Sequence, residues 1–207
     1  MTIAVDHEER RNQIMRKTLR LIGERGYEGV TTQQIADVCG LSRTTLYKYY
    51  TNKREIFDQA ILKMVVSIGE DFNAALADSP QLSSADKIRL LYANVIATMR
   101  KDPPLIQAII EYLIGLRRCG EPVAARVRRH TIGMHRLLIR LFREGVEKGE
   151  FKRMDCESVA EMVYALLETA TMRLTLLESF DQKQFETLLN AILDGVVVSE
   201  SYEGPCR

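Results

Sequence analysis

The chain has 207 residues, 46% of them apolar, and a net charge of +1. That apolar content can bury a sizeable core, which excludes a disordered chain, and the near-neutral balance excludes recruitment of nucleic acid or acidic membrane by the field of the whole molecule. Any such partner must be met by a local patch.

Taken from the start, MTIAVDHEERR shows no apolar signal stretch, and nowhere do about 18 apolar residues run together, so a cytoplasmic protein is expected. A first helix carries Ile14, Thr18, Leu21 and Ile22 on one face and ends at Gly26 and Gly29. Thr31 with Gln34 has the spacing of a capping box, so a second helix starts there with Ile35, Ala36 and Cys39 as its small apolar face. Gly40 can take the left-handed conformation that stops it, and Ser42 is the next N-cap. A third helix is predicted from Arg43 to about Tyr49. Two short helices across a glycine turn make a helix-turn-helix unit, whose second helix can enter the major groove.

From Val38 to Arg54 there are four basic residues and no acidic one, a local positive patch that the whole-chain charge of +1 does not supply. Leu46 and Tyr50 are expected in the core, with Tyr49 undecided between core and surface. Tyr47, Lys48 and Lys53 are assigned to phosphate in preference to a merely solvated charge run.

A long fourth helix follows with Phe57, Ile61, Met64, Ile68 and Phe72, ending at Ser79-Pro80. Ile88, Leu91, Val95 and Met99 stripe the next helix, and Asp102-Pro103-Pro104 separates it from Ile106, Ile109, Ile110 and Leu113. After Gly120, a helix from about Pro122 to Lys148 sets Arg129, Arg136 and Arg143, with Arg126 and Arg140, against an apolar face of Val127, Met134, Leu137, Leu138 and Leu141. His130 projects from the edge of that apolar face, as either a satisfied core residue or a group that orients a ligand.

A helix from about Cys156 to Leu177 is apolar over more than half its circumference, and after Asp181 the last helix adds Phe185, Leu188, Leu189, Ile192, Leu193, Val196 and Val197. No segment alternates as a half-buried strand does. The expected fold is all-α, about nine helices of roughly 10 to 26 residues, with a helix-turn-helix head over residues 1–56 and a larger body over 57–207.

One head covers only a half-site, so two must be held about one helical turn of DNA apart and a homodimer is expected; the last two long helices, too apolar to pack on their own chain alone, are its candidate interface, the alternative being ordinary monomer core. If Arg173 is buried there it requires a carboxylate, with Glu168, Glu178 and Asp194 as candidates.

The run Thr31, Ile35-Ala36, Gly40-Leu41-Ser42, Thr45-Leu46-Tyr47, Tyr50 and Lys53, preceded by RGYEGVT, resembles the N-terminal signature of TetR-like transcriptional regulators. The resemblance covers about residues 10–57; beyond them only helix count and order are similar. Tyr50 and Ile56 are near-isosteric departures from the usual phenylalanine and leucine. Thr44 stands where a small residue is frequent and where bases are read, so an operator sequence does not carry over.

The resemblance implies that Arg43, Thr44, Thr45 and Lys48, behind Ser42, present to base edges or nearby phosphates, while Thr31, Tyr47 and Lys53 clamp the backbone. Arg43 is the candidate for bidentate pairing to guanine. It also implies a four-helix dimer interface and a pocket among helices four to eight. Candidate lining residues are Phe72, Tyr92, Val95, Met99, Ile109, Tyr112, His130, Met134, Tyr164 and Glu168, with the methionines as an adaptable wall. Ligand binding is expected to move the helix after Pro103-Pro104 and, through helix four, the head.

Catalysis is not expected: the three histidines, His7, His130 and His135, are not set with carboxylates as metal bundles require, and neither G-x-S-x-G nor a phosphate loop occurs. Cys39, Cys119, Cys156 and Cys206 form no CxxC or Cys/His cluster and read as free thiols. No cofactor or metal is anticipated. The sequence points to a ligand-responsive, homodimeric repressor of a palindromic double-stranded DNA operator, released by a small, largely apolar effector, with no membrane partner. The alternative is a ligand- or protein-binding co-regulator that does not read DNA.

Overall fold

Helices carry almost all the regular structure in the computed structural model, which describes residues 2–79, 81–101 and 103–198. Side chains of residues 2–6, 103–105, 126, 129 and 130 lie outside that description, as do Pro80, Asp102 and Cys206. Among the described residues there are nine helices: α1 Thr2–Arg25, α2 Thr32–Cys39, α3 Arg43–Leu46, α4 Lys53–Asp78, α5 Ser84–Lys101, α6 Pro103–Arg118, α7 Val123–Glu147, α8 Cys156–Thr175 and α9 Gln182–Val196. One isolated antiparallel bridge joins Phe151 and Val197. The fold is all-α.

Local chemistry explains the short elements. Gln34 N–H donates to Thr31 Oγ1 at 3.3 Å and Thr31 N–H to Gln34 Oε1 at 2.8 Å, the two halves of the capping box. Gly40 closes α2 at φ 66°, and Leu41 N–H reaches back to the Ala36 carbonyl at 2.9 Å. Ser42 Oγ then accepts from Thr45 N–H at 3.0 Å and opens α3. That helix is one turn: residues 47–49 form a turn, where the sequence predicted helix as far as Tyr49. With 8 and 4 residues, α2 and α3 also fall below the expected lengths.

The chain divides by contact into two units, residues 1–67 with 101–130, and residues 68–100 with 131–207. This interleaved partition differs from a division at residue 57. In the first unit α6 packs on α1, and the core gathers Ile14, Ile22, Ile35, Leu46, Phe57 and Tyr112. The rings of Tyr27, Phe57 and Tyr112 meet with centroids 4.4 to 5.2 Å apart. Thr18, polar but fully buried, donates to the Ile14 carbonyl at 2.8 Å, so its place on the apolar face leaves no orphaned hydroxyl.

In the second unit α8 packs on α9 around Phe72, Ile88, Leu91, Phe142, Val163 and Leu193. Asp155 and Asp181 are the N-caps of these two helices, accepting from Ser158 N–H at 3.3 Å and Gln184 N–H at 3.2 Å. Lys87 and Lys148 both donate to Glu144 Oε1, at 2.6 and 2.7 Å. Leu138 and Leu141 are buried and Met134 and Leu137 pack beside them, the face expected of α7. Arg136 and Arg140 stand with Arg143 on its polar side, where Arg143 donates to Glu157 at 2.9 Å. Arg126 and Arg129 lie outside the described side chains.

Candidate nucleic-acid interface

The glycine turn and the Ser42 cap hold α3 against the first unit's core by one side only. Leu46 and Tyr50 are buried, as their spacing predicts, and Tyr50 Oη donates to the Arg11 carbonyl at 3.1 Å with the Arg11 guanidinium over its ring. Tyr49 is half-buried and stacks on His7 at 4.8 Å. On the other side Arg43, Thr44, Tyr47 and Lys48 are exposed, with Ser42 beside them and Thr45 half-buried, its Oγ1 2.8 Å from Ser42 Oγ.

Arg43 and Tyr47, one turn apart, are tied together. The arginine donates from Nε and Nη2 to Tyr47 Oη at 3.2 and 3.1 Å, with its guanidinium carbon 5.6 Å from the ring centroid. The pair presents a cation and a phenol as one preorganised group, at little rotamer entropy still to be lost on contact with a polyanion.

The four basic residues of the acid-free run have separate uses in the fold. Lys53 Nζ donates to the carbonyls of Tyr27 and Val30 at 2.6 and 2.8 Å and sits 4.0 Å from the Tyr27 ring centroid. Desolvation holds its ammonium below the usual lysine range. Arg54 makes a two-pronged pair with Glu121, which raises its already high pKa. Arg43 and Lys48 are thus the two exposed cations of the run with no ion pair among the described residues. Sequence reasoning missed Lys17: from α1 it donates to the Val38 carbonyl at 3.1 Å, beside the end of α2. Only the packing of α1 on α2 places it there, and nothing in its sequence neighbourhood marks it.

The ten candidate ligand residues fall in both units. Phe72, Tyr92 and Val95 are buried in the second unit's core, with Met99, Met134 and Tyr164 packed against it, and Met99 Sδ accepts from Thr171 at 3.1 Å. Burial pushes the Tyr164 phenol up, and its ring meets His135 edge-on. Glu168 is exposed on α8; partial desolvation, then the Glu161 carboxylate, raise its pKa. Ile109 and Tyr112 belong instead to the first unit's core, where Tyr112 is 1% exposed. The His130 side chain lies outside the described residues.

A cavity of about 360 Å³ opens in the second unit between α5 and α9, and of the ten candidates only Tyr92 lines it. Arg89, Ala93, Ile96, Ala97 and Arg100 accompany it from α5, on a face that the apolar stripe of Ile88, Leu91, Val95 and Met99 did not single out.

The last two helices leave large apolar side chains in solvent: Met162, Met172 and Leu188, with Leu176 and Leu177 just after α8. Arg173 is half-buried and donates to Gln184 Oε1 at 3.1 Å, over the Phe185 ring; among the described residues its hydrogen-bond partner is this amide, not Glu168, Glu178 or Asp194. Cys39, Cys119 and Cys156 are free thiols. Among the described residues no helix is long and apolar enough to cross a membrane.

The model of the bacterial regulatory proteins of the tetR family matches residues 14–60, and that of the tetracyclin repressor-like C-terminal domain matches residues 85–192, more than half of the chain. The HTH-type transcriptional repressor KstR of Rhodococcus jostii is 26% identical over 102 residues, 49% of this chain and 46% of that protein. The nucleoid occlusion factor SlmA of Haemophilus ducreyi is 28% identical over 97 residues, 46% of this chain and 47% of its own. The chain spans about half the length of the curated relatives it matches. A TetR transcription regulator from Haloarcula marismortui has the same fold, with a TM-score of 0.74 at 22% identity over 92% of this chain and 100% of that one.

Proposed function

Because the chain belongs to the tetR family of bacterial regulatory proteins, we propose that it is a cytoplasmic, ligand-responsive transcription regulator: a homodimeric repressor that reads a palindromic operator and leaves it when a small, largely apolar effector binds. The observation that carries this reading is the outward face of α3, where Arg43 and Tyr47 are joined beside Lys48 while Leu46 and Tyr50 anchor the same turn from behind. A short helix held this way can enter a groove without unfolding its support. Arg43, Thr44, Thr45 and Lys48 meet base edges or the nearest phosphates. Ser42, Thr31, Tyr47 and Lys53 hold the backbone, Lys53 with the one ammonium proton not given to Tyr27 and Val30. The name of the relative KstR favours repression over activation. The exposed apolar residues of α8 and α9 support dimerisation, since side chains of that size left in solvent mark association surfaces. The effector contacts are assigned to Phe72, Tyr92, Val95, Met99, Met134, Tyr164 and Glu168.

Fluorescence anisotropy against duplex from the chain's own upstream region and a scrambled duplex, at two salt concentrations, tests the reading. Sequence-preferring binding is expected, with an affinity that falls by a log-log slope of about 0.9 per phosphate contacted. Arg43→Ala should remove about 1 to 3 kcal/mol of that preference. Equal, salt-insensitive binding to both duplexes would mean a co-regulator that does not read DNA. DNA binding without any effect on transcription from the bound site would leave a role of the nucleoid-occlusion kind, for which the likeness to SlmA is the ground.

A further inference from the structure

We infer that His7 of α1 is a further DNA-contacting residue: its imidazole, stacked on Tyr49, meets a backbone phosphate just past the end of α3 and takes a proton from solvent as it does so. That role rests on the reading of DNA by α3 proposed above, and it makes affinity rise as pH falls.

The placement comes from the turn that ends the recognition helix. With 4 residues, α3 spans about 6 Å, half the roughly 12 Å width of a major groove. The residues that follow it therefore stand at the wall of the groove, where the phosphates run. Those residues are Tyr47, Lys48 and Tyr49, which form a turn before Tyr50 is buried. Tyr49 comes directly after the exposed Lys48, and its half-buried ring is stacked on the His7 imidazole, with centroids 4.8 Å apart and planes 29° from parallel. One turn further along α1, the Arg11 carbonyl accepts from Tyr50 Oη at 3.1 Å. Two successive turns of α1 are thus tied to this segment, and packing holds His7 beside it.

The stack leaves the imidazole ready to donate. Stacking uses the π face, and both ring nitrogens stay on the perimeter. His7 is exposed, and neither nitrogen has a hydrogen bond or ion pair among the described residues. A charged imidazole offers two N–H donors and a neutral one a single donor, so a phosphate oxygen favours the charged form. The Tyr49 ring favours it too, as an aromatic face does any cation. Histidine is the side chain that changes charge between about pH 5 and 8, so this proton can be gained near neutrality.

The neighbouring groups do not supply a counter-charge. On α1, Glu8 lines a groove toward α4 with Arg11 and Lys63, and Glu9 lies two residues from His7, about 200° around the helix. From α4, Glu55 is paired with Arg11 at 3.4 Å, and Lys63 donates to Asn12 at 2.6 Å. Arg10 donates to the Gln13 amide at 3.0 Å, a neutral acceptor. The turn and α3 bring Lys48, Arg43 and the phenols of Tyr47, Tyr49 and Tyr50. Arg10 and Lys48, which have no ion pair among the described residues, are both positive, so the counter-charge for an imidazolium comes from DNA.

The test is fluorescence anisotropy of the full chain on duplex from its own upstream region, at about pH 8 and pH 6, each over a series of salt concentrations. Between those values wild-type affinity should rise about fivefold per head more than that of His7→Gln, and its log-log salt slope should steepen by up to about 0.9 per head. His7→Lys, charged throughout, should show at the higher pH the steeper slope that the wild type reaches at the lower. Because His7 is exposed, all three chains should share one urea midpoint. Equal pH responses and equal salt slopes in wild type and His7→Gln overturn the inference and leave DNA reading by α3 intact. A His7→Gln chain that loses affinity equally at both pH values, with an unchanged slope, overturns it as well, since the stack would then only support the turn. A wild type that binds no duplex overturns both.

Discussion

A lysine ammonium has three protons to give, and at Lys53 two of them go to carbonyls of the loop between α1 and α2. Read in sequence, Lys53 is one more positive charge beside a recognition helix; in the fold it is also the tie that seats the start of α4 on that loop. Lys53→Met should therefore cost about 1 to 3 kcal/mol of stability in urea denaturation and weaken binding to every duplex alike. Lost DNA affinity at unchanged stability would instead make phosphate its sole partner. Glu144 carries a pH dependence of known sign. Hydrogen bonds from Lys148 and Lys87 hold its carboxyl below the ordinary value of 4.5, so its stabilisation is present in full above that value and is lost as pH falls through the folded-state pKa. The urea midpoint of Glu144→Gln should sit below that of the wild type by a constant amount near neutral pH, with the gap narrowing under about pH 4.5.

Among the elements, α2 and α7 use glycine for opposite reasons. At Gly40 the backbone is left-handed, with φ 66°, and an added Cβ would meet nothing within 4 Å. Gly40→Ala should cost about 1 to 2 kcal/mol from backbone conformation alone. At Gly145 the helix is ordinary, but the Phe151 ring occupies the place of a Cβ. Gly145→Ala should cost about 1 to 3 kcal/mol through overpacking in spite of its better helix propensity. A double-mutant cycle separates the two causes: Phe151→Val should relieve Gly145→Ala and simply add to Gly40→Ala. The same scale explains why α3 stops after one turn. It is held by the Ser42 cap and by buried Leu46, and the chain then turns through residues 47–49 to bury Tyr50.

For the whole molecule, the useful quantity is the number of heads brought to DNA at once. The exposed Leu188, Met172 and Leu177 are the side chains a second copy should cover. Leu188→Glu would place a charge in that surface. Sedimentation should find it shifted to monomer, with operator affinity falling toward that of one half-site while the helical circular dichroism is retained. A Leu188→Glu chain that still dimerises would move the interface elsewhere.

What the sequence by itself determined was local in origin. The capping box at Thr31, the glycine stop at Gly40, the Ser42 cap and the helical period of the apolar residues each act within a few residues, so the all-α fold and the helix-turn-helix were legible without coordinates. The inward side of α3, Leu46 and Tyr50, followed from the same spacing. Tertiary structure alone decided where distant segments meet. It set Lys53 on the carbonyls of Tyr27 and Val30, paired Arg54 with Glu121 across 67 positions, and put Tyr112 into the first unit's core, where the sequence had placed it with the pocket. It opened a cavity beside Arg100 from α5 and α9, about a hundred residues apart in the chain. Those outcomes depend on which helix faces come together, and a helical period names the buried face without naming what covers it.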